Sequence, residues 1–182
     1  QDGAPESEAA AFVSAEKELP DIASVLTGAA DIVAEVMAEN AEARALVREA
    51  FEKQATITSC NSKKDSEERS KFEQYYDHAE LVAKIPSHRY LAIRRGEREG
   101  VLRVRFELDT EPLCARLCGI MGQRASSPFA PQLDAAVRDG YRRLLAPSVE
   151  SDIRIKLKMR SDTSAVEVFA ENLRQLLMAA PL

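Results

Sequence analysis

The 182-residue chain contains no tryptophan, and its phenylalanines and tyrosines bring the aromatic share to only 5%. That scarcity argues against a single-strand nucleic-acid reader, which needs rings interleaved with its cations for base stacking. No apolar run approaches the roughly 20 residues of a membrane span, and no N-terminal secretory pattern is present. Three cysteines, an odd number, make no disulfide framework and point to a reducing, cytoplasmic setting. Neither Gly96 nor Gly100 lies in a GxGxxG or GxxxxGK context, so no phosphate-binding glycine loop is expected.

Histidine is nearly absent too. His78 and His88 have no nucleophile and orienting acid at a recognisable spacing, and both read more simply as packing, capping or surface residues. The acids lie singly, so no paired-carboxylate site stands out. Cys114 and Cys118 are four apart and would share a helix face. A zinc site would need two further ligands, and Cys60 plus a histidine supplies them only at a loose spacing; the cysteines therefore read as small buried hydrophobes. The expectation is a protein that is not an enzyme, with no metal, no cofactor and no small-molecule substrate.

Apolar residues make up 45% of the chain, enough for a core, and alanine, leucine, glutamate and arginine are plentiful, which favours helices. The net charge of −5 is unevenly spread. Residues 1–40 carry nine acids against one base, Lys17, whereas residues 84–105 carry seven bases against two acids and residues 138–160 seven against three. Such polarity permits a basic face on an acidic molecule. Arg94, Arg95, Arg98, Arg103 and Arg105 form the candidate nucleic-acid-binding cluster. The competing assignment pairs these arginines with acidic helices or a neighbouring domain. The mixed-sign run Lys63–Arg69 reads as a solvated linker.

Periodicity predicts a mainly α fold, a bundle-like helical scaffold with a small β element near residues 100–108. Residues 1–20 are expected to be a flexible or short helical N-terminus, frayed over Gln1–Glu8 with a short helix over Ala9–Leu19, and residues 21–182 to form the central helical region. Ile22, Val25, Leu26, Ala29, Ile32, Val33, Val36 and Met37 recur at helical spacing. Asn40 ends that helix or caps the next, over Ala41–Gln54. Thr56–Cys60 is a candidate strand or extended connector, and Lys71–Asp77 a helical turn presenting Phe72, Tyr75 and Tyr76. Short helices are expected after Pro112 and Pro131, with Gly140 a weak point in the second.

The chain is organised around Ile85–Asp109. Pro86 breaks the preceding structure, Ser87 sits where an N-cap would, and the helix Ser87, His88, Arg89 onward is expected to stop at Gly96 in a left-handed C-cap. After Gly100, the alternation of Leu102, Val104, Phe106 and Leu108 with charged residues reads as a strand. Asp152–Arg160 poses a conflict, since Ile153, Ile155, Leu157 and Met159 alternate with basic residues as a strand would. From Ala165 onward the spacing is helical.

SHRYLAIRRGEREGVL (residues 87–102) resembles the SHR-x-LA-x-x-RG-x-x-EGVL segment of the Tex family of bacterial transcription accessory proteins, relatives of the eukaryotic Spt-type elongation factors. KFEQYYDHAE and VFAENLRQLLMAAP are similar to that family's KF-x-x-Y-F-D and VFA-x-NL-x-x-LL-x-AAP, in the same order. The sequence departs from the pattern at Arg69–Ser70, where the family has Gly–Ala, and at Leu81, where it has proline. The resemblance implies one long helix across the last segment, so a helix is the expectation there. It also implies a central portion of a longer protein, without that protein's RNase-H-like, helix-hairpin-helix and S1 domains. The chain stops at Ala180–Pro181–Leu182, where the family continues. The function so implied is a scaffold segment of a transcription accessory factor that binds RNA or DNA through its other domains. Two alternatives remain open: direct non-specific RNA or DNA binding by the arginine cluster, and a docking module for the transcription machinery.

Overall fold

The computed structural model describes residues 3–14, 19–62 and 71–179. Lys17, the run Lys63–Arg69 and Ala180–Pro181–Leu182 lie outside them. The order is α1 (Pro5–Ala10), α2 (Ile22–Glu39), α3 (Ala41–Gln54), β1 (Thr56–Asn61), a 3-10 turn (Glu73–Tyr75), β2 (Asp77–Leu81), α4 (Ser87–Arg98), β3 (Leu102–Glu107), α5 (Glu111–Ile120), α6 (Ala130–Gly140), a π turn (Tyr141–Leu145) and α7 (Ala146–Met178). The fold is mainly helical with one small antiparallel sheet, as expected. No helix is long and apolar enough to cross a membrane among the described residues. Two compact units emerge, one from Gln1–Ala50 with Asp109–Val149, the other from Phe51–Leu108 with Glu150–Leu182.

In the first unit α1 ends at Ala10, short of the expected Leu19, and Ser14 pairs with Leu19 in an isolated antiparallel bridge. α2 starts cleanly because the Asp21 carboxylate accepts from the Ser24 N–H and hydroxyl, both at 2.7 Å. Those bonds hold its carboxyl below the usual range. Asn40 does both jobs: its extended backbone ends α2, and its side chain accepts from the N–H groups of Glu42 (2.9 Å) and Ala43 (3.0 Å) to cap α3. Ala34 and Met37 face inward, leaving Ile32 and Val36 exposed.

Gly140 is not a weak point. It is where α6 meets α2: a Cβ there would lie 2.8 Å from the Ala34 Cβ and 2.9 Å from the Ala34 Cα. The helices approach this closely because the position has no side chain. α5 closes with Gly122 at φ +73°, the Gln123 N–H donating to the Cys118 carbonyl and the Gly122 N–H to Gly119. This is the paired-bond helix end that a left-handed residue permits.

In the second unit the sheet runs β2–β1–β3, with Ser59 paired to Val104 on one side and to His78 on the other. β2 was not anticipated. Ile57, Ser59, Leu102 and Val104 form the buried face, and the Ser59 hydroxyl donates to the Tyr75 carbonyl at 2.8 Å. α4 covers that face, burying Tyr90, Ile93 and Gly96 at three-residue spacing.

Two expectations about α4 are corrected. Pro86, in extended conformation, occupies the N-cap position without a side-chain bond, and Ser87 is the first helical residue. Gly96 lies inside the helix, facing Leu102, and Gly100 is the left-handed residue, at φ +71°. Its N–H donates to the Glu97 carbonyl and the Val101 N–H to that of Gly96, each at 3.0 Å. The helix therefore runs two residues past the glycine expected to stop it, to Arg98, because Gly96 meets a packing need and Gly100 a conformational one.

The conflict over Asp152–Arg160 resolves as a helix. In the first half of α7 every fourth residue is buried: Val149, Ile153, Leu157 and Ser161. Ile155 and Met159, the other half of the apparent alternation, are exposed. The chain alternates in sequence but packs at a period of 3.6.

Candidate nucleic-acid interface

The second unit contains all five arginines of the cluster, and its fold divides them. α4 lies on the face of β3 that presents Leu102 and Val104, so Arg103 and Arg105 project from the opposite face of the strand. Arg103 is registered with Cys60 and Arg105 with Thr58. That outer face also carries Asp77, across Cys60 from Arg103, and Glu107, which accepts from the Thr58 hydroxyl at 3.1 Å. Two acids thus balance two arginines there, and the sheet face gains no net positive charge.

On α4, Arg94 is paired with Glu97. Glu97 is shared with Arg154 of α7, whose Nη1 lies 3.4 Å away. Arg89 donates through Nη1 to both oxygens of Glu80 at 2.8 Å. Arg95, Arg98, Arg103 and Arg105 are exposed, and no ion pair or side-chain hydrogen bond engages their guanidinium groups among the described residues. Arg154, only 21% exposed, does the work of holding elements together. Its Nε donates to Glu150 at 2.8 Å, its Nη2 lies 3.4 Å from the Val104 carbonyl, and its guanidinium covers the Phe106 ring at 4.6 Å. Its own carbonyl accepts from the Tyr90 hydroxyl at 3.0 Å, and burial pushes that phenol upward.

Two depressions meet at Arg95. The first, of about 730 Å³, is bounded by Lys71, Phe72 and Tyr75 near the 3-10 turn, by Ser87, His88 and Leu91 of α4, and by Ser164 and Val168 of α7. The second, of about 500 Å³, sets Arg94, Arg95 and Arg98 opposite Lys158 and Asp162 of α7. Lys71 is bonded to Glu99 at 3.0 Å and sits 5.0 Å from the centre of the Phe72 ring. Lys158 is paired with Asp162. Among the described residues lining these two depressions, Arg95 and Arg98 are the arginines and lysines without a carboxylate partner.

Sequence spacing missed this grouping. The aromatic turn stands some twenty residues before the arginines in the chain, yet the fold brings Phe72 and Tyr75 into the same depression as Arg95. KFEQYYDHAE was visible as a motif, but nothing local to it specified its neighbour.

The remaining candidates stay apart. His88 is exposed at the edge of the first depression. His78 lies on the sheet's inner side, its Nε2 3.4 Å from a Glu80 oxygen without a well-aligned bond, and its ring edge-on to Tyr75 at 5.8 Å. Cys114 and Cys118 are buried in the first unit, and Cys60 is exposed in the second. Burial pushes both buried thiols up, that of Cys118 to about 11, helped by the Asp134 carboxylate that accepts from it at 3.8 Å. No group of three or more metal-ligating side chains occurs among the described residues.

The description "Tex central region-like" belongs to the family model that matches residues 1–169. The transcriptional accessory protein Tex of Neisseria gonorrhoeae is 35% identical over 179 residues, covering 96% of this chain and 24% of that protein. The protein tex of Bordetella pertussis is 32% identical over 190 residues, 97% of this chain and 24% of its own length. The human S1 RNA-binding domain-containing protein 1 is 28% identical over 179 residues, 91% of this chain and 18% of that protein. The chain therefore spans about a quarter of the length of the bacterial relatives it matches.

Proposed function

This chain belongs to the Tex central region-like family, and from that membership we propose that it is the helical scaffold of a transcription accessory factor, without catalysis of its own, whose other domains engage RNA or DNA. The observation that carries the reading is α7. Its 33 residues make a rod of about 50 Å. The buried stripe Val149–Ile153–Leu157–Ser161 seats the first half. Beyond it Val166, Phe169, Leu173 and Leu176 remain exposed. A helix seated along one half and bare along the other is built to reach something, and apolar residues in the bare half suit a protein surface rather than phosphates. The division of the arginines supports the same reading, since Arg103 and Arg105 cannot extend the α4 surface into one phosphate-tracking face.

A second reading rests on Arg95 and Arg98, which stand exposed beside a depression lined by Phe72 and Tyr75 and without an ion-pair partner among the described residues: direct, non-specific binding of RNA or DNA by this segment. Titration of a labelled single-stranded RNA at near-physiological salt separates the two. The scaffold reading expects a Kd of about 10⁻⁵ M or weaker for this chain, the range of non-specific phosphate contacts. Sub-micromolar binding abolished by Arg95→Glu with Arg98→Glu overturns it in favour of the second. Loss through Arg103→Glu with Arg105→Glu instead would place the binding on the sheet face.

A further inference from the structure

The two depressions that meet at Arg95 form one groove between α4 and α7. Arg160 donates to the Ile85 carbonyl just before α4, and Arg154 pairs with Glu97 near its end, so the two helices run in opposite directions. α4 lines the groove with His88, Leu91, Arg95 and Arg98, a spacing that keeps to one face of a helix. α7 answers with Lys158, Asp162, Ala165 and Val168. Either stripe spans about 15 Å at the helical rise per residue. The middle of the groove is hydrocarbon, from Leu91 and Ala92 on one wall and Ala165 and Val168 on the other. Towards its other end stand Arg95 and Arg98, exposed and without a carboxylate partner among the described residues. The other charges there are matched, Arg94 with Glu97 and Lys158 with Asp162.

We propose that this groove receives an acidic amphipathic helix of a partner protein, its apolar stripe on Leu91, Ala92, Ala165 and Val168 and its carboxylates on Arg95 and Arg98. The helical form follows from the walls. Both are helices, whose backbone groups bond within the helix, so the side of an extended peptide turned towards them would find no partners for its own N–H and C=O groups. A helix brings none that need one, and the small side chains of Ala92 and Ala165 allow it a close approach. The acidic character follows from the two unmatched guanidinium groups. A phosphate backbone fits less well. It carries a charge at every nucleotide, whereas this groove sets Glu97 and Asp162 among its cations and hydrocarbon beside them. Phe72 and Tyr75 are buried and leave little ring face open for a base to stack on. The proposal rests on the scaffold reading in taking the partner to be a protein, and adds where and by what chemistry it docks.

Three capped peptides of about 15 residues, long enough to span the groove, are titrated by calorimetry. The first carries leucines at helical spacing flanked by glutamates. The second has glutamine for every glutamate, and the third is the acidic sequence with a central proline, which breaks the helix. The acidic peptide is expected to bind with a Kd of about 100 µM or tighter. The glutamine peptide should bind about fivefold more weakly, and the proline peptide with a Kd of about 1 mM or weaker. Arg95→Glu with Arg98→Glu should weaken the acidic peptide about tenfold or more and leave the glutamine peptide unchanged. Ala165→Trp, at an exposed position, should fill the groove and weaken both with the circular dichroism spectrum intact. Arg103→Glu with Arg105→Glu, on the outer face of the sheet, should change neither. No saturable binding of the acidic peptide, equal affinity for the acidic and glutamine peptides, or binding of the proline peptide as tight as the acidic one overturns the proposal. The labelled RNA titration tells its failure from that of the scaffold reading. Weak RNA binding with no peptide binding removes the helix site alone, whereas sub-micromolar RNA binding through Arg95 and Arg98 removes both.

Discussion

Replacing Gly96 by alanine tests how the second unit is packed, because two opposing effects are both calculable. Alanine in a helix interior is favoured over glycine by about 1 kcal/mol. Against that, a Cβ at Gly96 would lie 2.6 Å from Leu102 Cδ1, 2.8 Å from Leu102 Cγ and 3.2 Å from Phe72 Cδ1. Leu102 is 3% exposed and Phe72 4%, so neither can swing into solvent. Overpacking a closed core costs about 1–3 kcal/mol, and two contacts under 3.0 Å to one branched side chain put this site in the upper half of that range. The net expectation is a destabilisation of about 1–2 kcal/mol once the helix gain is subtracted. Urea unfolding followed by far-ultraviolet circular dichroism measures it. Combining Gly96→Ala with Leu102→Ala should recover about 1 kcal/mol or more relative to additivity, since the second change removes the obstructing atoms. A Gly96→Ala protein as stable as the parent, or strictly additive double-mutant energies, would refute the packing argument.

Gly140→Ala should destabilise the first unit by about 2 kcal/mol or more, because the new methyl meets the Ala34 backbone rather than a movable side chain; thermal unfolding checks this. Tyr90→Phe removes the second hydrogen bond to the Arg154 carbonyl, the one that ties α4 to α7, so a loss of about 1 kcal/mol is expected in urea titration. Thiol labelling should modify Cys60 rapidly at pH 8 and Cys114 and Cys118 only on unfolding. The Cys118 thiol also gives a pH dependence of known sign. Its folded value is raised from 9.0 to about 11, so the stability it protects is intact below about 9 and declines as pH rises through about 11. Cys118→Ala should flatten that decline in stability measured between pH 8 and pH 11.

Much of this molecule was legible in its sequence, and the failures share a cause. The helices of residues 22–54 follow from spacing alone, and β3 from the alternation of Leu102, Val104 and Phe106. Asp152–Arg160 could not be settled by pattern, because Ile153 and Leu157 point inward while Ile155 and Met159 do not, and both readings use the same four residues. Gly96 and Gly100 lie four apart, and only tertiary packing decides which needs positive φ and which needs the absence of a side chain. β2 was missed because Asp77–Leu81 carries the polar residues of a half-exposed edge strand, whose partner β1 lies some twenty residues away. The division of the arginine cluster was hidden for a similar reason. Neighbours in the chain were separated by the sheet, and Phe72 joined Arg95 across a distance no local rule measures.

The second unit is made from two stretches of chain, and this fixes the order in which it can be completed. The Tyr90 hydroxyl finds its acceptor 64 positions later, at Arg154, and the Ile85 carbonyl finds its donor 75 positions later, at Arg160. At a synthesis rate of about 5–20 residues per second, the sheet and α4 emerge roughly 3–13 s before α7 can close over them. The intervening residues 109–149 belong to the other unit. During that interval Tyr90 and Ile93 wait for the helix that contributes Ile153 and Leu157. For that interval the sheet half leaves exposed the apolar surface that α7 later covers.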